Sequence, residues 1–157
     1  MTINKNLYLY ILMRTDLGSL GPGRAAAQAS HAASAFAKKY GLTKDYKDWA
    51  GQTPQGFGTA IVLGADSNTI GELHKKAYHQ NFATEQIIDP DYVISFSSEL
   101  MPYIKVGVII QPKETYVEKS VTDPNKYLLH REEMTCAYIF GDKEKLVELL
   151  GELPLYS

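Results

Sequence analysis

The stretch from Gly21 to Tyr40 constrains the fold of this chain more than any other part of the sequence. It contains eight alanines, which form helix readily and let a backbone approach a neighbouring sheet closely. Pro22 and Gly23 stand where a helix would begin, and Gly41 stands where it would end. The sequence therefore predicts one long helix of small residues packed against a sheet.

Polar side chains recur along this helix at a helical spacing. Arg24, Gln28 and His31 stand at i, i+4 and i+7, which a 3.6-residue period places on one stripe. Lys38 continues the stripe two turns later. The positive end of the helix dipole lies near Arg24 and suits an anion. The pattern indicates a binding face, and a solvated outer surface is the alternative.

The segments around this helix follow the order of an α/β fold. An apolar run of strand length, Leu7–Met13, comes first, and a glycine-rich loop joins it to the helix. Three more strands are predicted around the later apolar runs, at residues 59–63, 85–88 and 135–140. Helices are predicted after an N-cap at Ser67 and from Asp142 to Leu150. This alternation predicts a three-layer α/β fold, with helices on both faces of a small, mixed or mostly parallel sheet.

Residues 92–134 depart from this alternation. They contain one clear strand-like run, Ile104–Ile110, in polar and irregular surroundings. We therefore expect a single domain over residues 1–157 that carries an elaboration at about 92–134. This elaboration could supply a surface for a protein partner.

Composition limits the classes of function that remain. Apolar runs fall short of the ~20 residues that a membrane span needs, and the single cysteine, Cys136, fits a reducing compartment such as the cytoplasm. The net charge of −2 argues against indiscriminate coating of nucleic acid. Residues 1–50, however, hold seven Lys/Arg against three acids, which permits a local basic patch. His74 and His79 are five residues apart and do not share a helix face, so metal binding is not predicted.

Several motifs together resemble a known family. RTDLGSLGPGRAAAQASHAA, which begins at Arg14, is similar to the opening of the second class of peptidyl-tRNA hydrolases, the class typical of archaea and eukaryotes. Trp49 with Gly51-Gln52, the strand TAIVL and the Ile-x-Asp segment of residues 87–89 follow in family order. TCAYIFG and LGELPLY resemble its closing segments.

The resemblance implies a fold, an activity and partners. The fold is a three-layer α/β domain that often forms a homodimer. The activity is hydrolysis of the ester that joins a peptide to the 3′ end of tRNA, which recycles tRNA from stalled translation. The partner is therefore tRNA, and neither a metal nor a cofactor is implied.

The resemblance also assigns roles to individual residues. The catalytic set is Arg24, His31, Asp89 and Thr135, although Met134 and Cys136 are alternative occupants of the Thr135 place. Asp89 would orient or deprotonate a water, Thr135 would hold it, and Arg24 would face the oxyanion or a phosphate. The substrate-binding set is Arg14, Asp16, Gly23, Gln28 and Lys38.

A second function from another class stays open at this point. Arg24 stands where the family has a lysine, Pro22 replaces a further lysine, and the residues after Asp89 depart from the family pattern. These departures favour a non-catalytic relative that binds tRNA or a protein partner. The joint presence of Gln28, His31, Asp89 and Thr135 favours the enzyme.

Overall fold

The computed structural model describes residues 5–100 and 116–157. The strands and helices follow one another along the chain in an alternating order. They are β1 (Leu7–Arg14), α1 (Pro22–Tyr40), α2 (Lys44–Ala50), β2 (Ala60–Ala65), α3 (Ser67–His79), β3 (Ala83–Ser97), a short 3-10 turn (Ser98–Leu100), β4 (Tyr116–Lys119), β5 (Lys126–Asp142) and α4 (Lys143–Leu150).

The described strands form one mixed sheet in the order β2-β1-β5-β3, with β4 paired to β5. β1 runs parallel to β2, with Leu9 opposite Ala60, and antiparallel to β5, with Met13 opposite Cys136. A mixed sheet between helices confirms the predicted α/β fold class. The strand predicted at Ile104–Ile110 lies outside the described residues.

The chain divides into two compact units. The first consists of residues 1–87 and 135–157, and the second of residues 88–134. β3 and β5 each contribute residues to both units. The second unit begins at residue 88, four residues before the start of the predicted elaboration.

Aromatic side chains fill one face of the sheet in the first unit. Phe36 of α1 contacts Trp49 of α2 and also Tyr138 and Phe140 of β5, with ring centroids 4.6–5.6 Å apart. Alanines along the inner side of α1 permit this close approach, and Ala32 is fully buried. α1 and α2 therefore cover this face.

The other face is covered by α3 and α4, which contact each other. Side chains alternate between the faces along β5, so position 141 points away from the Phe140 face. A Cβ at Gly141 would lie 2.7 Å from the ring of Phe82 and 3.8 Å from Leu146 of α4. Glycine fits this position because the helix layer packs closely there.

Side-chain caps begin three of the helices. Thr43 accepts a hydrogen bond from the Tyr46 amide, Asp66 from the Thr69 amide and Asp142 from the Glu144 amide. The predicted positions of the long helix and of the last helix agree with α1 and α4. The N-cap of α3 is Asp66, and the prediction of Ser67 is wrong by one residue. Asp66 is the stronger cap here because its carboxylate reaches the amide of residue 69 at 2.7 Å.

The predicted ends of two strands are also wrong. β3 continues through Asp89-Pro90 to Ser97, although this pair was expected to end the strand. β5 begins at Lys126, nine residues before the predicted start at 135. In the described sheet β3 is an outer strand, where proline can stand because its missing amide need not bond to a neighbour.

The last residues of the chain pair with β2. Leu155 lies opposite Leu63 in an antiparallel bridge. The Gly64 amide donates to the Pro154 carbonyl at 2.8 Å, and the Tyr156 amide donates to the Val62 carbonyl at 3.0 Å. The Tyr156 hydroxyl donates to the Leu20 carbonyl at 3.0 Å, which ties the tail to the loop before α1. None of the helices in the described part of the chain has the length and apolar character to cross a bilayer.

Candidate active site

The start of α1 provides a site for an anion. Gly21 is the N-cap and has no side chain with which to satisfy the first amide groups, and the first turn contains no acidic residue. Arg24 stands in that turn and is exposed. Backbone amides and a guanidinium at the positive end of a nineteen-residue helix favour a phosphate or an oxyanion.

The polar stripe of α1 divides into an exposed row and one buried member. Arg24, His31 and Lys38 are exposed, whereas Gln28 is only 4% exposed. Four residues advance a helix by about 400°, so position 28 is turned about 40° from position 24 toward the sheet. Gln28 therefore lies at the inner edge of the predicted stripe, and its side chain points into the protein.

Gln28 is held by the first residues that β5 contributes to this unit. The Thr135 hydroxyl donates a hydrogen bond to Gln28 Oε1 at 2.8 Å, and Thr135 is fully buried. The Cys136 thiol donates to the Gln28 carbonyl oxygen at 3.6 Å. Burial raises the pKa of the Cys136 thiol to about 11, so this cysteine is a packed neutral group. The bond between residues 28 and 135 fixes α1 to the sheet beneath the exposed row.

Arg14 and Asp16 are engaged within the protein. Arg14 Nε donates to Asp16 Oδ1 at 2.9 Å. This hydrogen bond, together with further bonds from the Ser67 amide and hydroxyl, lowers the pKa of the Asp16 carboxyl to about 2 despite the opposing effect of burial. The pair therefore joins the end of β1 to the start of α3, and its proposed contact with substrate stays a prediction.

A polar contact that joins β5, β3 and the end of α1 was not predicted from the sequence. The Tyr138 hydroxyl donates to Glu85 Oε2 at 2.9 Å, and Lys39 Nζ lies 3.9 Å from the same oxygen. Burial and the neighbouring carboxylate raise the pKa of Tyr138. Lys39 stands next to Lys38 in the sequence, which marks it as a second cation at the end of α1. Sequence periodicity, however, gives no information on a contact between α1 and β3.

Asp89 belongs to the second unit, where its Oδ1 accepts a hydrogen bond from the Asp91 amide at 3.0 Å. Met134 also belongs to that unit, whereas Cys136 is buried in the first. The first unit contains Arg24, Gln28, His31, Lys38 and Thr135, and a direct contact is described between Gln28 and Thr135. The catalytic role of Asp89 remains a prediction.

The second unit contains a buried histidine between two carboxylates. His130 Nδ1 lies 2.7 Å from Asp91 Oδ1, and its Nε2 lies 2.8 Å from Glu118 Oε1. The ring of Tyr116 stacks on the imidazole at 4.2 Å. Burial alone would lower the pKa of His130, but the hydrogen bonds to both carboxylates outweigh it and raise the pKa above its ordinary value. These residues connect β3, β4 and β5.

Within residues 5–100 and 116–157, no three His, Cys, Asp or Glu side chains converge in a way that could hold a metal ion. The start of α1 supplies backbone amides and the Arg24 guanidinium. These groups can bind a phosphate or stabilise an oxyanion when water attacks an ester.

A family model matches this chain, and solved structures resemble it. The model described as peptidyl-tRNA hydrolase PTH2 matches residues 7–156. The protein of unknown function Atu0240 from Agrobacterium tumefaciens strain C58 has a TM-score of 0.50 and 12% identity, with 96% of this chain and 98% of that chain covered. This second likeness concerns the fold alone. A search of curated proteins found no match.

An α/β fold with an anion site at a helix start is consistent with a hydrolase that acts on a nucleic-acid ester. The family match covers nearly the whole described chain, and the protein belongs to the peptidyl-tRNA hydrolase PTH2 family. It is accordingly an esterase-type hydrolase of peptidyl-tRNA, which favours the enzyme over the non-catalytic alternative.

Proposed function

We propose that the exposed row of α1 binds the 3′ end of peptidyl-tRNA and that the start of α1 faces the ester. The supporting observation is the fixed geometry of this helix. Its inner side is bonded to β5 through Gln28 and Thr135, and its outer row presents Arg24, His31 and Lys38. A rigid element holds catalytic groups in place better than a loop does.

In this proposal a water molecule adds to the ester carbonyl, and the bond to the ribose 3′ oxygen breaks. The attacking water loses one proton, and the departing ribose oxygen gains one. Arg24 and the amides of the first turn stabilise the negative charge that develops on the carbonyl oxygen. His31 positions the terminal nucleotide. Thr135 is a positioning residue, because its hydroxyl is already donated to Gln28.

We retain Asp89 as the general base of this proposal on the strength of the Ile-x-Asp motif at residues 87–89. A carboxylate that removes a proton from water contributes about a hundredfold or more to the rate. The assignment is independent of the role of the α1 row and is tested separately.

The test is the release of free tRNA from a defined peptidyl-tRNA by the purified protein. We expect turnover by the wild type, and a loss of about a hundredfold or more in kcat for Asp89→Asn. Asp48→Asn removes an exposed carboxylate from α2 and is the matched control. Equal turnover by Asp89→Asn and the wild type would remove Asp89 from the mechanism.

Arg24→Ala and Arg24→Lys test the α1 row under the same conditions. We expect the alanine variant to lose transition-state stabilisation, with kcat lowered by about ten- to a hundredfold, and the lysine variant to recover part of it. Lys145→Ala removes an exposed charge from α4 as a control. Unchanged kcat in Arg24→Ala would place the oxyanion elsewhere.

We also propose that the protein works in the cytoplasm as a homodimer and that residues 92–134 provide a surface for a protein partner. These proposals rest on the family resemblance and on the single cysteine. Sedimentation equilibrium at micromolar concentration tests the dimer, and a molecular mass of one chain at all concentrations would exclude it.

A further inference from the structure

A second polar surface lies at the opposite end of α1 from Arg24. A groove of about 410 Å³ opens between the C-terminal ends of α1 and α3. Its walls include Lys39, Tyr40, Tyr78, His79, Asn81 and Thr84. From residue 24 to residue 39 the helix rises about 1.5 Å per residue, so the groove lies about 22 Å from the start of α1. It is therefore separate from the site proposed for the ester.

The charge around this groove is predominantly positive. Lys38 and Lys39 end α1, and Lys75, Lys76 and His79 are exposed near the end of α3. The nearby acids are Glu72 and Glu85, and the Glu85 carboxylate already accepts from Tyr138 and lies beside Lys39. Lysines at helix ends also stabilise the helix dipole, which explains their position without any ligand. Their number nevertheless leaves an excess of positive charge for an anionic partner.

An exposed aromatic ring distinguishes this groove from an ordinary charged helix end. Tyr78 is 67% exposed, and its ring lies 5.9 Å from that of His79 at 76°. Helix stability gives no reason for a large ring to face water here. Aromatic rings beside cations are the pattern that binds single-stranded nucleic acid, because bases stack on the rings while the cations hold the phosphates.

The exposed row of α1 connects this groove to the proposed ester site. Arg24, His31 and Lys38 follow one another along a single flank, and Lys39 then lines the groove. A rise of about 3.4 Å per nucleotide belongs to a base-stacked strand, so a path of about 22 Å holds at most about six nucleotides, and fewer of an extended single strand. A strand whose 3′ end lies at Arg24 would therefore reach the groove with nucleotides that precede the ester.

We propose that the groove between Lys39 and Tyr78 is a second RNA-binding site, which holds tRNA nucleotides several positions before the esterified end. The proposal rests on the assignment of the ester site to the start of α1. The groove contributes to tRNA binding and leaves the hydrolytic step unchanged.

The test compares two substrates that carry the same peptidyl ester. One is a full-length peptidyl-tRNA, and the other is its three-nucleotide 3′ fragment, which is too short to reach the groove. We expect Tyr78→Ala to raise KM about tenfold for the full-length substrate and to leave kcat and the KM of the fragment unchanged, because one stacked base is lost. Phe57→Ala removes another exposed aromatic ring and serves as the control.

Three outcomes would overturn the proposal. They are an equal loss on both substrates, an unchanged KM on the full-length substrate, and equal weakening by Phe57→Ala. A separate binding measurement distinguishes failure of this proposal from failure of the proposed function. If the wild type hydrolyses neither substrate, binding of deacylated tRNA by fluorescence anisotropy still tests the groove. Tighter binding by the wild type than by Tyr78→Ala then supports the groove, and equal binding overturns it.

Discussion

The hydrogen bond between Thr135 and Gln28 changes the meaning of two residues that were assigned from sequence. Both were expected at the substrate, yet Thr135 is fully buried and Gln28 is nearly so. A glutamine and a threonine that bond inside an apolar layer satisfy each other, and either one left alone would be a buried polar group without its partner. In the proposed function the pair contributes through the position of α1, and the contact of either residue with substrate stays a prediction.

Double-mutant analysis of this pair gives a prediction at the residue scale. Gln28→Leu and Thr135→Val should each lower the free energy of unfolding by about 1–3 kcal/mol, because each leaves a buried group without its partner. The double variant should lose less than the sum of the two losses. Urea denaturation measures all three variants. Additive losses would show that the two side chains do not interact.

Cys136 gives a second prediction at this scale. Because burial raises the pKa of its thiol to about 11, the native protein should react very slowly with a thiol reagent at pH 8. In urea the thiol should react rapidly, since its pKa returns to about 8.5. Ellman's reagent measures both rates. Rapid reaction of the native protein at pH 8 would contradict the buried position.

Strand boundaries show what sequence could and could not reveal about single elements. The apolar run of β1 and the alanine-rich α1 have a clear period, and both were predicted within a residue. Asp89-Pro90 is a strong turn signal, but the position of β3 at the outside of the described sheet allows the strand to continue. The start of β5 contains His130, Arg131 and two glutamates, and these polar residues conceal a strand. The partners of His130, which are Asp91 and Glu118, are distant in sequence.

The histidine between β3, β4 and β5 gives a prediction at the scale of elements. Two ionised carboxylates accept hydrogen bonds at both ring nitrogens, which requires the doubly protonated imidazolium. The pKa of His130 is higher in the folded state than in the unfolded state. Its contribution to the free energy of unfolding is therefore fully present below about pH 6.5 and is lost as the pH rises through the folded-state pKa. The groups that face the ring are Asp91, Glu118 and Tyr116.

We therefore expect the amide hydrogens of β4 to exchange faster as the pH rises from 6 to 9, after correction for the intrinsic exchange rate. His130→Gln should remove this pH dependence, because glutamine does not titrate. Hydrogen exchange measured by mass spectrometry follows the residues of β4 directly. Protection in the wild type that is constant over this range would show that the imidazolium does not stabilise these strands.

Charge distribution is the property of the whole molecule that bears most on its substrate. The chain carries −2 overall, yet residues 1–50 carry +4, from seven Lys/Arg and three Asp. In an acidic protein the exposed cations of α1, Arg24, Lys38 and Lys39, would attract RNA to that helix. This arrangement favours one orientation of the tRNA.

The salt dependence of tRNA binding tests this view. We expect the logarithm of affinity to fall linearly with the logarithm of salt concentration, and Arg24→Ala to reduce the slope by about 1, because one phosphate contact is lost. Lys145→Ala should leave the slope unchanged. Fluorescence anisotropy at several salt concentrations measures these slopes. The same slope for Arg24→Ala and the wild type would place the phosphate elsewhere.

Sequence reasoning reached the fold class and the family of this molecule because both depend on the order of elements and on a contiguous motif. The expected elaboration at about 92–134 and the second unit both end at residue 134, whereas the unit begins at residue 88, inside strand β3, where the sequence shows no break. The helical period gave the turn of Gln28 by about 40° from Arg24 but not its burial, because the sheet decides which flank of α1 is inside.

The pairing of residues 154–156 with β2 has a consequence for how the protein should be handled. These residues bond to the backbone of an outer strand that would otherwise face solvent with open donors and acceptors. Such a strand is a template onto which further copies can add. Proteolytic removal of the residues after Pro154 would thus expose the edge of β2, and the trimmed protein should associate through β2 at high concentration. Light scattering would detect this association before any loss of catalysis.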